Sequence, residues 1–204
     1  MLLLVRHGRT AHNASRRLLG RLDVELDGVG ERQAEALAAW GVPAGARRVV
    51  SSPLARARRT AEAIAAATGA VVEVDGRWVE VDYGMYDGLP LPEVPAGVWA
   101  SWDADPGWAP EGGESLASVS RRVREACGEL WAEAAERDVA VVSHVSPIKA
   151  ALGWAMGLPE AVYPRMFVEV ASLHRIGPGR GGPTLWSFNE RAPAPGGCRQ
   201  WSTR

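Results

Sequence analysis

The sequence predicts an α/β fold in three layers: a mostly parallel, doubly wound sheet with helices on both faces and a loop-rich, lid-like insertion. Short apolar runs of strand length alternate with longer segments of helical period. Several of those segments open on capping residues and close on glycine, while residues 82–113 follow neither period.

Met1 to Val5 is an unbroken apolar run, short enough for a buried strand, and it ends in Arg6-His7-Gly8. Asp27 is placed to cap a helix through Glu31, Gln33, Ala34 and Leu37 to Trp40, with Gly41 closing it. Arg48, Val49 and Val50 read as a second strand leading into Ser51-Ser52. Pro53 then suits the first turn of a helix through Ala55, Thr60 and Ile64 to Gly69. Val71 to Val74 is a third strand, continued in extended form from Arg77 to Val81. Glycine, proline, acidic residues and tryptophans dominate from Asp82 to Gly113. Ser115 starts a helix through Val119, Val123, Ala126 and Leu130; Val139 to Val142 is a strand, and another helix opens after Ser146-Pro147. Phe167 to Val170, Leu173 to Ile176 and Thr184 to Phe188 read as closing strands, with a turn over Gly177 to Gly182. Residues 1–190 would make one domain, with 82–113 inserted in it, and 191–204 a flexible tail.

Composition narrows the classes of partner. With 204 residues, 47% of them hydrophobic, the chain can bury a sizeable core, and a net charge of -1 gives no overall attraction to nucleic acid or anionic membranes. The opening apolar run is too short for a signal peptide, and no run has the length that spanning a bilayer demands. Cys127 and Cys198 supply neither a disulfide framework nor a metal spacing, so a reducing cytoplasm is expected. Of 23 basic residues one is a lysine, Lys149. Genomic base composition is the plainest reading of that bias.

On a parallel sheet, three strand-to-helix junctions share one edge, where open α/β sheets place their chemistry. The first carries Arg6 and His7, the second reaches Arg56, and the third presents His144. Singly, each has an ordinary reading as a solvated or hydrogen-bonded side chain. Together these four groups would repel unless an anion joined them. A phosphoryl group meets that need: guanidiniums bind its oxygens in pairs, and helix amino ends after Pro53 and Pro147 add backbone donors. Gly8 lets backbone approach closely. Arginines would neutralise charge that metals handle elsewhere, so no metal or other cofactor is expected.

Leu4-Val5-Arg6-His7-Gly8-Arg9-Thr10, with Asn13, Gly20, Asp23, Leu26, Gly30 and Gln33-Ala34, resembles the opening of the histidine phosphatase superfamily, also called phosphoglycerate-mutase-like. The resemblance continues in order through Ser51-Ser52-Pro53-Leu54-Ala55-Arg56, Glu80 with Gly84 and Gly88, Gly113-Glu114-Ser115 and Val142-Ser143-His144, covering Met1 to about Asn189. Ser143 to Lys149 and Ala171-Ser172-Leu173 look most like the α-ribazole-phosphatase-like acid phosphatases.

The resemblance implies a metal-independent phosphomonoesterase in which His7 is the nucleophile that becomes phosphohistidine. It implies that Arg6, Arg56 and a protonated His144 hold the phosphoryl oxygens, and that Glu80 is the general acid. Asn13, Thr10 and the Val145 backbone are the further phosphate or substrate contacts it implies. Glu114 and Ser115 either start a helix or reach the site. Many relatives carry glycine where this chain has Val145, whose side chain would narrow the pocket. Trp99, Trp102 and Trp108 are either core or aromatic walls that select the leaving group. A small phosphate ester is the expected partner: α-ribazole 5'-phosphate, a sugar phosphate, a phosphoglycerate or a glucosylated phosphoglycerate. The protein is expected to be a monomer or homodimer. A cofactor-dependent phosphoglycerate mutase and an inactive phosphate-binding module are the alternative readings.

Overall fold

The computed structural model describes residues 1–43 and 45–193; the expected tail beyond Pro193, with Cys198, lies outside them. Its sheet has six strands in the order β3-β2-β4-β1-β5-β6. These are β1 (Leu2–Arg6), β2 (Arg48–Ser51), β3 (Val71–Val74), β4 (Val139–Ser143), β5 (Leu173–Gly179) and β6 (Gly182–Glu190). β3, β2, β4 and β1 run parallel, and β5 and β6 close one side as an antiparallel hairpin.

Side-chain alternation along the strands builds two cores. Leu2, Leu4, Val139 and Val141 face one side, and Leu3, Val5, Ala140 and Val142 the other, all fully buried. Against the second face pack α2 (Gly28–Trp40), through Leu37 and Ala38, and α3 (Ala55–Thr68), through Ala57, Ala61 and Ile64. Against the first pack α5 (Leu116–Glu136), through Val119, Val123 and Ala126, and α6 (Val145–Met156), through Ile148, Ala151 and Leu152. This covering of both faces is why β1 and β4 read as continuous apolar runs.

Several local signals hold. Asp27 accepts from the Val29 and Gly30 amides to cap α2, Ser115 caps α5 through the Ser118 amide, and Gly69 closes α3 in the left-handed region at φ 69°. A four-residue helix, α1 (Ala11–Ala14), is capped by Thr10.

Four expectations need correction. Phe167 to Val170 is not a strand: Ala171 adopts φ 52°, breaking the extended path, and the Val168 carbonyl turns to the Arg6 guanidinium. Gly76–Trp78 is a 3-10 turn, started by the Asp75 side chain, so extended chain resumes only at Val79. The 82–113 excursion contains a helix, α4 (Ala96–Ala104), whose Val98 and Trp102 join the core. Finally, α6 opens at Val145, with His144 rather than Ser146 at its cap.

Candidate active site

Strand register brings the site together. Arg6 pairs with Ser143 across β1 and β4, and Ser51 pairs with Val142 across β2 and β4. His7 and His144 therefore leave adjacent strands at one level, with Ser52 one residue short of them on the far side of β4. The His7 and His144 ring centroids lie 5.0 Å apart.

The tautomer of His7 follows from its hydrogen bond. His7 Nδ1 lies 2.7 Å from the Gly8 carbonyl, which can only accept, so Nδ1 carries the proton and Nε2 keeps its lone pair. Burial, then the Arg56 and Arg6 guanidiniums, hold His7 well below the usual imidazole range. Neutrality is what an attacking ring nitrogen needs. The Gly8 amide donates to Thr60 Oγ1 at 3.1 Å, fixing the turn. The backbone that approaches Gly8 closely is that of Gly30 in α2, since a Cβ on Gly8 would collide with the Gly30 carbonyl oxygen.

His144 is fully buried, and its Nε2 lies 2.7 Å from Ser52 Oγ. Burial, followed by Arg56, His7 and Arg6, depresses its pKa strongly, so with these neighbours alone the ring is neutral at pH 7. The imidazolium implied by the resemblance therefore requires the anion's own charge. Ser52 was visible in the motif without an assigned role; its position at the end of β2 was the available signal.

Arg56 is also fully buried. Its terminal nitrogens donate to the Gly20 and Leu22 carbonyls at 2.7 and 2.8 Å, and burial lowers its pKa to about 10 without discharging it at neutral pH. Asp87, which the sequence did not single out, accepts from the Gly20, Arg21 and Leu22 amides and so holds the loop on which Arg56 rests. Arg6 donates to the Val168 carbonyl at 2.7 Å.

Five buried side-chain nitrogens lack a hydrogen-bond partner among the described residues. Two are tryptophan indoles; the others are Arg6 Nε, Arg56 Nε and His144 Nδ1. Each unsatisfied buried group costs about 1–3 kcal/mol, and three in one cationic cluster favour an anion that accepts from all of them. A guanidinium has no lone pair to offer a metal.

Glu80, almost fully buried, stands at the amino end of α6. Its Oε1 accepts from the Val81 and Ser146 amides, whereas among the described residues Oε2 accepts only from Val145, at 3.0 Å. Oε2 thus has room for a further hydrogen-bond partner. The expected backbone donors at the helix ends are engaged in this state: Val145 and Ser146 serve Glu80, and the Ala55 amide at the start of α3 serves Asp23. Glu114 stands back from the chemistry, holding Arg122 and Arg21, both of which donate to the Glu80 carbonyl. Thr10 and Asn13 bond to each other, so among the described residues Asn13's carboxamide NH2 is the free donor of the pair.

Of the tryptophans, Trp102 is core, stacked edge-on with Tyr83 and Trp108, yet it and Trp99 also line a cavity shared with Val145 and Ser146. Trp108 packs edge-on against Trp102 and does not line that cavity.

The model of the histidine phosphatase superfamily (branch 1) matches residues 2–191. The chain belongs to that superfamily. Over 176 residues it is 39% identical to the bifunctional protein Rv2228c of Mycobacterium tuberculosis, a match covering 84% of this chain and 48% of that protein, so this chain spans about half its length. It is 36% identical to the glucosyl-3-phosphoglycerate phosphatase of the same organism, over 81% of this chain and 79% of that enzyme. The solved structure of the mycobacterial glucosyl-3-phosphoglycerate phosphatase with VO3 superposes with a TM-score of 0.84 at 33% identity, covering 92% of this chain and 98% of that one. Membership accounts for the order of the motifs and the sheet edge they share. Among the described residues no helix is long and apolar enough to cross a membrane.

Proposed function

We propose that this histidine phosphatase superfamily member is a metal-independent phosphomonoesterase acting on small phosphate esters through a phosphohistidine. The observation that carries the reading is the set of three orphaned nitrogens around a neutral His7 whose Nε2 is free. Arg6, Arg56 and His144 hold the non-bridging oxygens. His7 Nε2 forms a bond to phosphorus while the ester P–O bond breaks and Glu80 Oε2 delivers a proton to the departing alkoxide. Water then attacks the phosphohistidine, Glu80 takes its proton, and the N–P bond breaks to release phosphate. Asn13 and the Val145 amide complete the phosphate contacts, the latter moving from Glu80 to the anion. The buried Cys127 thiol fits a reducing compartment, and we place the enzyme in the cytoplasm.

A panel of phosphate esters assayed with and without EDTA tests this reading, with glucosyl-3-phosphoglycerate, named for the mycobacterial relative, among them. Phosphate release indifferent to EDTA is expected. Interconversion of 3- and 2-phosphoglycerate primed by 2,3-bisphosphoglycerate, without free phosphate, would instead make the protein a mutase. Binding without turnover would make it an inactive module.

Glu80→Gln keeps the shape and, through its one carboxamide oxygen, the Val81 and Ser146 amide contacts, but its NH2 faces the Val145 amide donor to donor and cannot give a proton. It is expected to slow alkyl phosphates by at least about 100-fold while p-nitrophenyl phosphate, whose leaving group needs no proton, loses far less in its first step. Burst kinetics separate that step from hydrolysis of the phosphoenzyme. Equal losses in the first step would remove Glu80 as the acid.

A further inference from the structure

The cavity beside the catalytic groups has a volume of about 320 Å³ and walls drawn largely from Tyr83, Trp99, Trp102, Leu116 and Tyr163. It is also lined by Val145 and Ser146, the first two residues of α6, so it continues outward from the proposed phosphoryl position. Lys149 lines it too. Lys149 lies three and four residues beyond Ser146 and Val145, hence on the same helix face one turn further from the phosphoryl site.

That lysine is out of keeping with its surroundings. It is the only lysine among 23 basic residues, it is partly buried in an aromatic cavity, and no hydrogen bond or ion pair engages it among the described residues. Burial lowers its pKa, Glu80 offsets part of that effect, and Arg6 adds to it. The one carboxylate lining the cavity, Asp103, is exposed. A solvated surface lysine would keep its head in bulk water. This one instead supplies a positive charge where a substrate's leaving group must lie.

We propose that Lys149 binds a carboxylate carried by the leaving alcohol, so that the preferred substrates are phosphomonoesters of hydroxy acids. The inference rests on the phosphatase reading for the direction in which the ester lies, phosphoryl group at His7 and alcohol in the cavity. One helical turn of backbone separates Val145 from Lys149, a span that the few bonds between an ester oxygen and a carboxylate can bridge. The ammonium and carboxylate form a charge-assisted pair in a half-buried site. The aromatic walls accept whatever else the alcohol carries.

The test compares 3-phosphoglycerate with glycerol 3-phosphate, which share the phosphorylated carbon and differ by the carboxylate. Affinities are measured calorimetrically in the His7→Ala background, where turnover does not interfere, with and without Lys149→Met. We expect the carboxylate ester to bind at least about tenfold more tightly in the parent, equally in Lys149→Met, and with most of the preference restored in Lys149→Arg. Glycerol 3-phosphate binding reports folding of each variant, and Lys149→Gln replaces Lys149→Met if that variant does not fold. A preference that survives loss of the lysine, no preference in the parent, or equal weakening of both esters overturns the proposal. Failure of the phosphatase reading is seen separately, as absence of phosphate release by the unmodified protein.

Discussion

His7→Ala is expected to reduce phosphate release by at least about 10⁴-fold while leaving inorganic phosphate bound. The reason lies in the division of labour among the buried groups. Arg6, Arg56 and His144 carry the orphaned nitrogens that would hold the anion, and none depends on His7 for a hydrogen bond. His7 alone presents a free ring nitrogen oriented by a carbonyl bond at Nδ1. Loss of a nucleophile that acts as a unit with its neighbours removes the covalent route altogether. In the unmodified protein, rapid quenching should trap an acid-labile, base-stable phosphoenzyme, and the variant should trap none. The depressed pKa of His7 adds a pH signature: the nucleophile is lost only when Nε2 is protonated. The acid limb of kcat/KM assigned to His7 should therefore lie well below pH 6.5. Undiminished hydrolysis by His7→Ala would remove His7 from the chemistry, whereas an acid limb at or above pH 6.5 would show that burial and the two guanidiniums do not depress its pKa.

The parallel core was legible because each of its strands leaves a local mark. Leu2 to Val5 and Val139 to Val142 are apolar at every position since both faces are covered, and Asp27, Ser115 and Gly69 satisfy helix ends by their own side chains or backbone freedom. Phe167 to Val170 misled for the converse reason. Its apolar, β-branched composition suits a strand, but a tertiary contact, the Val168 carbonyl on Arg6, and a left-handed turn at Ala171 override local preference. The groups proposed to touch phosphate were legible because they cluster at strand ends in order. Those that hold them were not: Asp87 reaches the 20–22 loop from more than sixty residues away, and Glu114 acts through Arg21 and Arg122. Their spacing in sequence carries no period or motif, only contacts that exist once the sheet has formed. Lys149 falls between, conspicuous by composition and interpretable only beside the cavity.

Arg56 should separate function from stability. Arg56→Met is expected to lower kcat/KM by at least about 10³-fold while changing folding stability by no more than about 3 kcal/mol. Two opposing effects set that balance. The side chain's bonds to the Gly20 and Leu22 carbonyls are of the charged type, about 1.5–3 kcal/mol each, and deleting them frees two acceptors. Against that, the cation is held at a pKa of about 10, an electrostatic penalty of about 3 kcal/mol in the ligand-free protein, and methionine refills most of the volume without it. The loop itself remains anchored by the three amide bonds to Asp87. Phosphate reverses the account, because an anion turns the penalty into binding. Inorganic phosphate should thus raise the Tm of the unmodified protein and have little effect on Arg56→Met. Arg56→Lys should resemble the methionine variant in activity, since one ammonium cannot span two carbonyls and a phosphoryl oxygen as the fork does. A stability loss above about 4 kcal/mol in Arg56→Met would mark the guanidinium as chiefly a strut for the 20–22 loop. A phosphate-dependent rise in Tm as large as that of the unmodified protein would place the anion elsewhere.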